Sequence, residues 1–146
     1  MKIRTLTVSD KEQVGDLYRK LYPTNKFYDL TNGEFWATNL LLGMEVDGKI
    51  VGFIQGIRFN PSGRIECYIN DLIIDEKYRG KGYGSGLVKA AEIEFKKMGG
   101  SYIFVFTDFE KEEENPVKFY EKNGYQVIHS LVLVKNIEGD AEKISA

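Results

Sequence analysis

One cysteine, Cys67, and one histidine, His129, are all that the 146 residues offer toward disulfide bonding, soft-metal ligation or imidazole chemistry. A disulfide within the chain, a cysteine–histidine zinc cluster and a histidine-based triad are thereby excluded, so no metal is expected. Acid–base work falls to carboxylates, tyrosines or the backbone, and His129, inside an alternating apolar stretch, is read as structural. Long apolar runs are missing too. None approaches the ~20 residues that span a bilayer, and the N-terminus has no signal-peptide core, so the expectation is a cytoplasmic protein with no membrane partner. An excess of positive charge is also lacking. Twenty basic residues face 22 acidic ones for a net charge of −2, which gives no electrostatic footprint for nucleic acid. What remains, 42% hydrophobic and 29% charged residues, is the composition of a globular chain long enough to bury a core. A single domain over 1–146 is expected, with 137–146 a fraying tail.

Glycine, by contrast, is concentrated in Arg79-Gly80-Lys81-Gly82-Tyr83-Gly84-Ser85-Gly86. The stretch follows the apolar run Leu72-Ile73-Ile74, crosses a polar bridge from Asp75 to Tyr78, and leads into a helical pattern at Leu87. Without Cβ atoms, consecutive backbone N–H groups can converge on one anion, and a helix start adds its unpaired amides and positive dipole end. Phosphate or pyrophosphate is the natural ligand. The P-loop pattern fails, because Ser85 stands where its second glycine belongs, and the near miss at Gly43 to Gly48-Lys49-Ile50 ends in Ile within a hairpin. The dinucleotide fingerprint fails as well, since Gly80/Gly82 is followed by Ser85 and Gly82/Gly84 by Leu87. What remains is Arg79-x-x-Gly82-x-Gly84, whose bland alternative is a flexible connection with no ligand.

Along the chain, residues 2 to 8 alternate as a half-buried strand, and Ser9 with Glu12 reads as a capping box for a helix over about 10–22, its apolar face Val14, Leu17 and Leu21. Residues 24–42 are less regular. Tyr22, Phe27, Tyr28, Phe35 and Trp36 supply either core and lid packing or an aromatic acceptor pocket, and a short helix is expected from about Glu34. Leu42 to Val46 and Lys49 to Phe59 form a hairpin about Asp47-Gly48, and a turn over 60–63 leads to a strand from Arg64 to Ile74. A helix over about 84–98 places Leu87, Ala91, Phe95 and Met98 on one face and ends at Gly99-Gly100. The following strand, Ser101 to Thr107, should run parallel to the strand before the helix. Asp108 to Glu114 is acidic, Asn115-Pro116 opens a short helix that Asn123-Gly124 closes, and Tyr125 to Lys135 alternates as a last, interior strand.

The strand from Arg64 carries an anomaly. Ile65, Cys67 and Ile69 share one face and Glu66, Tyr68 and Asn70 the other, so strict alternation places Asp71 among the apolar set and Leu72 among the polar one. A bulge near Asn70 or Asp71 repairs the parity and brings Asp71 to the polar face. The alternatives are an early strand end or burial of both faces.

Two segments resemble the GNAT superfamily of N-acetyltransferases. Arg79-x-x-Gly82-x-Gly84 is similar to its acyl-coenzyme A pyrophosphate loop, and Asn115-Pro116-Val117-Lys118-Phe119-Tyr120-Glu121-Lys122-Asn123-Gly124-Tyr125 to its Phe/Leu-Tyr-Glu-Lys-x-Gly-Phe/Tyr segment. The resemblance implies an α/β fold: a mixed, mostly antiparallel central sheet with its fourth and fifth strands parallel and about four helices on its faces, and a bulge in the fourth strand. It implies acetyl-coenzyme A as co-substrate, with Leu72, Ile73 and Ile74 along the pantetheine arm and Arg79, Gly80, Lys81, Gly82, Tyr83, Gly84 and Ser85 around the pyrophosphate. Tyr120 then protonates the departing thiolate. Many family members have a cofactor-binding Asn where this chain has Glu113; Asn115 either substitutes for it or only caps its helix.

The implied reaction is acetyl transfer to a primary amine, which needs a base or a water chain to remove a proton. Asp71 leads on its anomalous parity, followed by Glu66 and Asp108; Asp71 could alternatively bind the cationic acceptor. Aminoglycosides, polyamines, amino acids and peptide amines all fit. A non-catalytic acyl-coenzyme A sensing module is the alternative from another class, and a homodimer pairing its last strands is compatible with either.

Overall fold

The computed structural model describes residues 1–21, 33–107, 111–129 and 131–138. It divides into two compact units, Met1–Asp108 and Phe109–Ala146.

The first unit is built on a five-stranded sheet whose spatial order follows the sequence: β1 (Lys2–Thr5), β2 (Leu40–Val46), β3 (Lys49–Phe59), β4 (Glu66–Ile74) and β5 (Tyr102–Val105). The first four are antiparallel to their neighbours, and β5 lies parallel to β4. This is the expected mixed sheet. The parallel step requires a crossover, supplied by α3 (Tyr83–Lys97). The β2–β3 hairpin turns at Asp47-Gly48, both at positive φ (49° and 76°), as a tight two-residue connection demands.

Helix α1 (Lys11–Leu21) covers one face of the sheet. Val14, Leu17 and Tyr18 are buried there with Leu6, Leu41, Ile50, Phe53 and Ile73, and Phe35 and Trp36 from the short α2 (Gly33–Trp36) pack against this cluster. Two expectations need correction. Leu21 is 40% exposed, and the buried set is Val14, Leu17, Tyr18; the i, i+3, i+4 stripe curves away from the last turn. The cap also lies two residues earlier than the Ser9–Glu12 box: the Thr7 N–H donates to Asp10 Oδ2 at 2.9 Å. Asp10 suits this because Arg4 grips the same carboxylate at 2.8 and 3.0 Å, which holds it below the usual carboxylate range.

On the opposite face α3 buries Leu87, Val88, Ala91 and Phe95. The approach is closest at Gly56, where a Cβ would stand 2.5 Å from Phe95 Cζ and 2.6 Å from the Tyr68 carbonyl oxygen. The carbonyl belongs to the neighbouring strand and cannot give. Gly56→Ala is expected to lower unfolding free energy by about 1–3 kcal/mol in a denaturant titration; an unchanged midpoint would show that the helix shifts freely.

Two bulges set which residues face which layer. In β3, Met44 pairs with Gly52 and Glu45 with Ile50, so Val51 is the extra residue and both Ile50 and Phe53 reach the α1 side. The Val51 carbonyl accepts instead from the Asp75 N–H at 2.8 Å. In β4, Gln55 pairs with Asp71 and Gly56 with Ile69, leaving Asn70 extra. Here the parity anomaly of the sequence finds its cause.

In the second unit a 3-10 turn (Glu112–Glu114) precedes α4 (Val117–Lys122), and Gly124 follows at φ 88°. The interior strand expected over 125–135 is not formed: residues 125–129 and 131–137 carry no regular structure, and Leu131 and Leu133 are 92% and 93% exposed. Alternation supplies a face, but a strand also needs a neighbour for its backbone groups. Of the remaining expectations, Tyr22, Phe27, Tyr28, Asp108 and 139–146 of the expected tail lie outside the described residues. No helix among the described residues is long and apolar enough to cross a membrane.

Candidate active site

The sheet parts where β4 leaves β5. Their pairing runs from Glu66↔Tyr102 to Ile69↔Val105 and stops there, whereas β4 continues against β3 through Ile74↔Gly52. From Asn70 to Ile74, β4 therefore has a β3 partner on one side and no described strand on the other. Main-chain donors and acceptors at a strand's open side bind an extended amide-bearing ligand as another strand would. Leu72, Ile73 and Ile74 line this opening. Leu72 and Ile74 stand opposite Ile54 and Gly52 on the α3 side, and Ile73 points with Phe53 toward α1.

The glycine stretch begins directly after this opening. Asp75 Oδ1 accepts from the Lys77 N–H at 3.2 Å to start a 3-10 turn (Glu76–Tyr78), and Arg79 Nε returns to the Ile74 carbonyl at 3.1 Å. Gly80 and Gly82 both hold positive φ, 74° and 82°, and a Cβ on either would meet nothing within 4 Å. Gly82 is the N-cap of α3 and accepts from the Gly86 N–H at 3.0 Å. Tyr83, Gly84 and Ser85 form the first turn, at the positive end of the helix dipole. Lys81 Nζ lies 5.5 Å from the Tyr78 ring centroid. Loop, open space and helix dipole together make an anion cradle, and its place at the end of the β4 opening suits a ligand with both an amide arm and phosphates.

The carboxylates differ in availability. On the α1 side of the bulge, Asp71 Oδ2 accepts a 2.7 Å hydrogen bond from Tyr18 Oη. Burial pushes the Asp71 carboxyl above its ordinary range, and the tyrosine's bond pulls part of the way back. Glu66 is engaged twice, by Arg64 Nη2 and by Tyr68 Oη at 2.6 Å, and the Arg64 guanidinium holds it below its ordinary range. A base must be willing to keep a proton. Asp71 meets that condition better than Glu66.

Tyr120 and Asn115 belong to the second unit. The Tyr120 ring meets Phe119 and Tyr125 edge-on, at 5.1 and 5.4 Å between centroids. Asn115 Oδ1 accepts from the Val117 N–H at 3.0 Å, capping α4, while its amide reaches Glu112 Oε1 at 3.2 Å.

Sequence reasoning missed Tyr18. Its spacing from Val14 was available, and a hydroxyl on a buried helix face calls for a partner. It also missed the ring stack on β4 and β5: Tyr68 lies nearly parallel to Phe104 and Phe106, at 5.5 and 5.7 Å.

The sequence pattern of the Acetyltransferase (GNAT) family matches residues 5–125. The chain is 24% identical over 140 residues to an uncharacterized N-acetyltransferase of Methanocaldococcus jannaschii, a match covering 85% of this chain and 60% of that one. It is 34% identical over 83 residues to the glucosamine 6-phosphate N-acetyltransferase of Trypanosoma brucei brucei, covering 54% and 52% of the two chains. It thus spans between about half and three-fifths of the length of these relatives. An aminoglycoside acetyltransferase from an uncultured soil metagenomic sample, in complex with sisomicin, shares the fold with a TM-score of 0.71 at 22% identity over 92% of this chain and 96% of that one.

Proposed function

Because the chain belongs to the GNAT acetyltransferase family, we propose that it is an acyl-coenzyme A N-acyltransferase that moves the acetyl group of acetyl-coenzyme A to a primary amine. The observation that carries this reading is the adjacency of the open side of β4, over Asn70 to Ile74, and the glycine cradle at the start of α3. One takes the amides of the pantetheine arm, and the other the pyrophosphate, through Arg79 to Ser85.

Asp71, raised in pKa and held by Tyr18, accepts a proton from the acceptor ammonium and frees its lone pair. A main-chain N–H near the Asn70 bulge stabilises charge on the thioester oxygen. The C–N bond forms and the C–S bond breaks. By the family resemblance the proton for the departing sulfur comes from Tyr120, so coenzyme A leaves as the thiol, and with the amine's second proton lost the products are the amide, the thiol and one released proton. A phenol O–H is a suitable donor to a thiolate. Asn115, its carbonyl occupied as a helix cap, is a weaker candidate for cofactor contact than the loop.

The test is release of free thiol from acetyl-coenzyme A in the presence of aminoglycosides, polyamines, hexosamine phosphates, arylalkylamines, amino acids and peptides. Turnover with any class supports transfer. Folded protein that binds acetyl-coenzyme A and is silent with all of them favours the non-catalytic sensing module. Tyr18→Phe gives a finer check. Removing the hydroxyl takes away the bond that stabilises the Asp71 carboxylate, so its pKa rises further. The acid limb of the kcat/KM profile is expected to move to higher pH, and an unmoved limb would separate Tyr18 from the titrating group.

A further inference from the structure

The α1 side of the sheet changes character past the bulge. Gly56, opposite Ile69, faces Phe95 on α3, so Ile69 and Cys67 face α3 and Tyr68 and Glu66 face the α1 side, as Asp71 does. Phe104, in register with Tyr68, and Phe106 stack on the Tyr68 ring. The alternation of β5 adds Tyr102 to the same face and that of β3 adds Ile57. Tyr102 and Phe106 are each 63% exposed. An apolar shelf of this kind on a sheet face is unusual on a monomer's surface and marks a binding surface.

Its charge is as telling as its rings. Glu66 is taken by Arg64 and Tyr68, and Asp75 by Lys20 at 2.8 Å. Asp71 forms no ion pair among the described residues; its hydrogen-bond partner Tyr18 is a neutral hydroxyl. It stands three residues from Tyr68 along β4, within about 10 Å at ~3.3 Å per residue. One carboxylate at the end of an aromatic shelf complements one ammonium on a flat apolar body. Among the described residues, a polyamine would find one carboxylate without an ion pair on this face and would leave its other charges over rings.

We infer that the acceptor is an aromatic monoamine, an arylalkylamine whose ring lies on the Tyr68–Phe104–Phe106 stack and whose ammonium reaches Asp71. This rests on the acyltransferase reading and names its acceptor class. The ring gains stacking and burial on the shelf, and the short alkyl linker spans the step to the bulge.

The experiment compares kcat/KM for phenylethylamine and tryptamine with that for spermidine, glucosamine 6-phosphate and an aminoglycoside, alongside calorimetric binding of phenylethylamine to the protein with coenzyme A present. The aromatic amines are expected to lead by at least about tenfold, and Phe106→Ala, an exposed position, to raise their KM about three- to tenfold without moving that for acetyl-coenzyme A. A preference for spermidine or an amino sugar overturns the inference while transfer itself stands. Unchanged kinetics in Phe106→Ala also overturn it. If no amine turns over, phenylethylamine binding that Phe106→Ala weakens still supports the shelf, and absence of binding overturns it.

Discussion

Asp71→Asn is expected to lower turnover by well over tenfold, toward the hundredfold typical of a lost general base, while the KM for acetyl-coenzyme A stays within about twofold. The same change is expected to leave the protein at least as stable. Burial raises the Asp71 carboxyl above its unfolded value, so the folded state prefers the protonated group. Above that raised pKa the ionised form subtracts stability, and below the ordinary carboxylate range the subtraction disappears. Asn carries no charge at any pH, and its amide oxygen still accepts from Tyr18. Near neutrality the variant's melting temperature should equal or exceed that of the parent, and the difference should vanish in acid. Near-normal turnover would remove Asp71 from the mechanism, and a large loss of stability would make it a structural residue.

Gly82→Val is expected to act on the other half of the site. At φ 82° an L side chain sits in the left-handed region, which costs about 1–2 kcal/mol, most for a β-branched residue. The space around the missing Cβ is open, so the added side chain stands where an anion approaches the loop. KM for acetyl-coenzyme A should rise tenfold to a hundredfold, as expected for about 1.4–2.7 kcal/mol of lost binding, with kcat at saturation much less affected. A fall in kcat with KM unchanged would place the loop's contribution in the reacting geometry.

The two variants should therefore separate: one spoils the chemistry and keeps the coenzyme, the other weakens the coenzyme and keeps the chemistry. What made both residues visible in the sequence was local. Glycine at a strand-to-helix junction and an alternation that breaks at one residue are statements about neighbouring backbone. So were the Asp47-Gly48 hairpin and the parallel step into β5. What stayed hidden depends on partners distant in sequence. Tyr18 meets Asp71 across 53 positions, whereas the Arg64 and Tyr68 that hold Glu66 each stand only two residues from it along the chain. The Val51 bulge left no mark because both faces of β3 are apolar there, so a change of parity changes nothing in the pattern. The stretch 125–135 shows the opposite failure, a strand-like pattern without strand pairing.

The extra residue at Asn70 has a bearing on how this site is encoded. Its own side chain is exposed and nothing described depends on it, so a library of single substitutions at position 70 should look nearly neutral. Removing the residue is another matter. With Asn70 gone, Asp71 stays opposite Gln55 and Ile69 opposite Gly56 in a regular ladder, so every member of β4 keeps its layer, and what disappears is the unpaired backbone of the bulge beside the acid. The opening in the backbone is thus written in the length of the strand and not in the identity of any residue. Deletion mapping will read that information, and substitution mapping will pass over it.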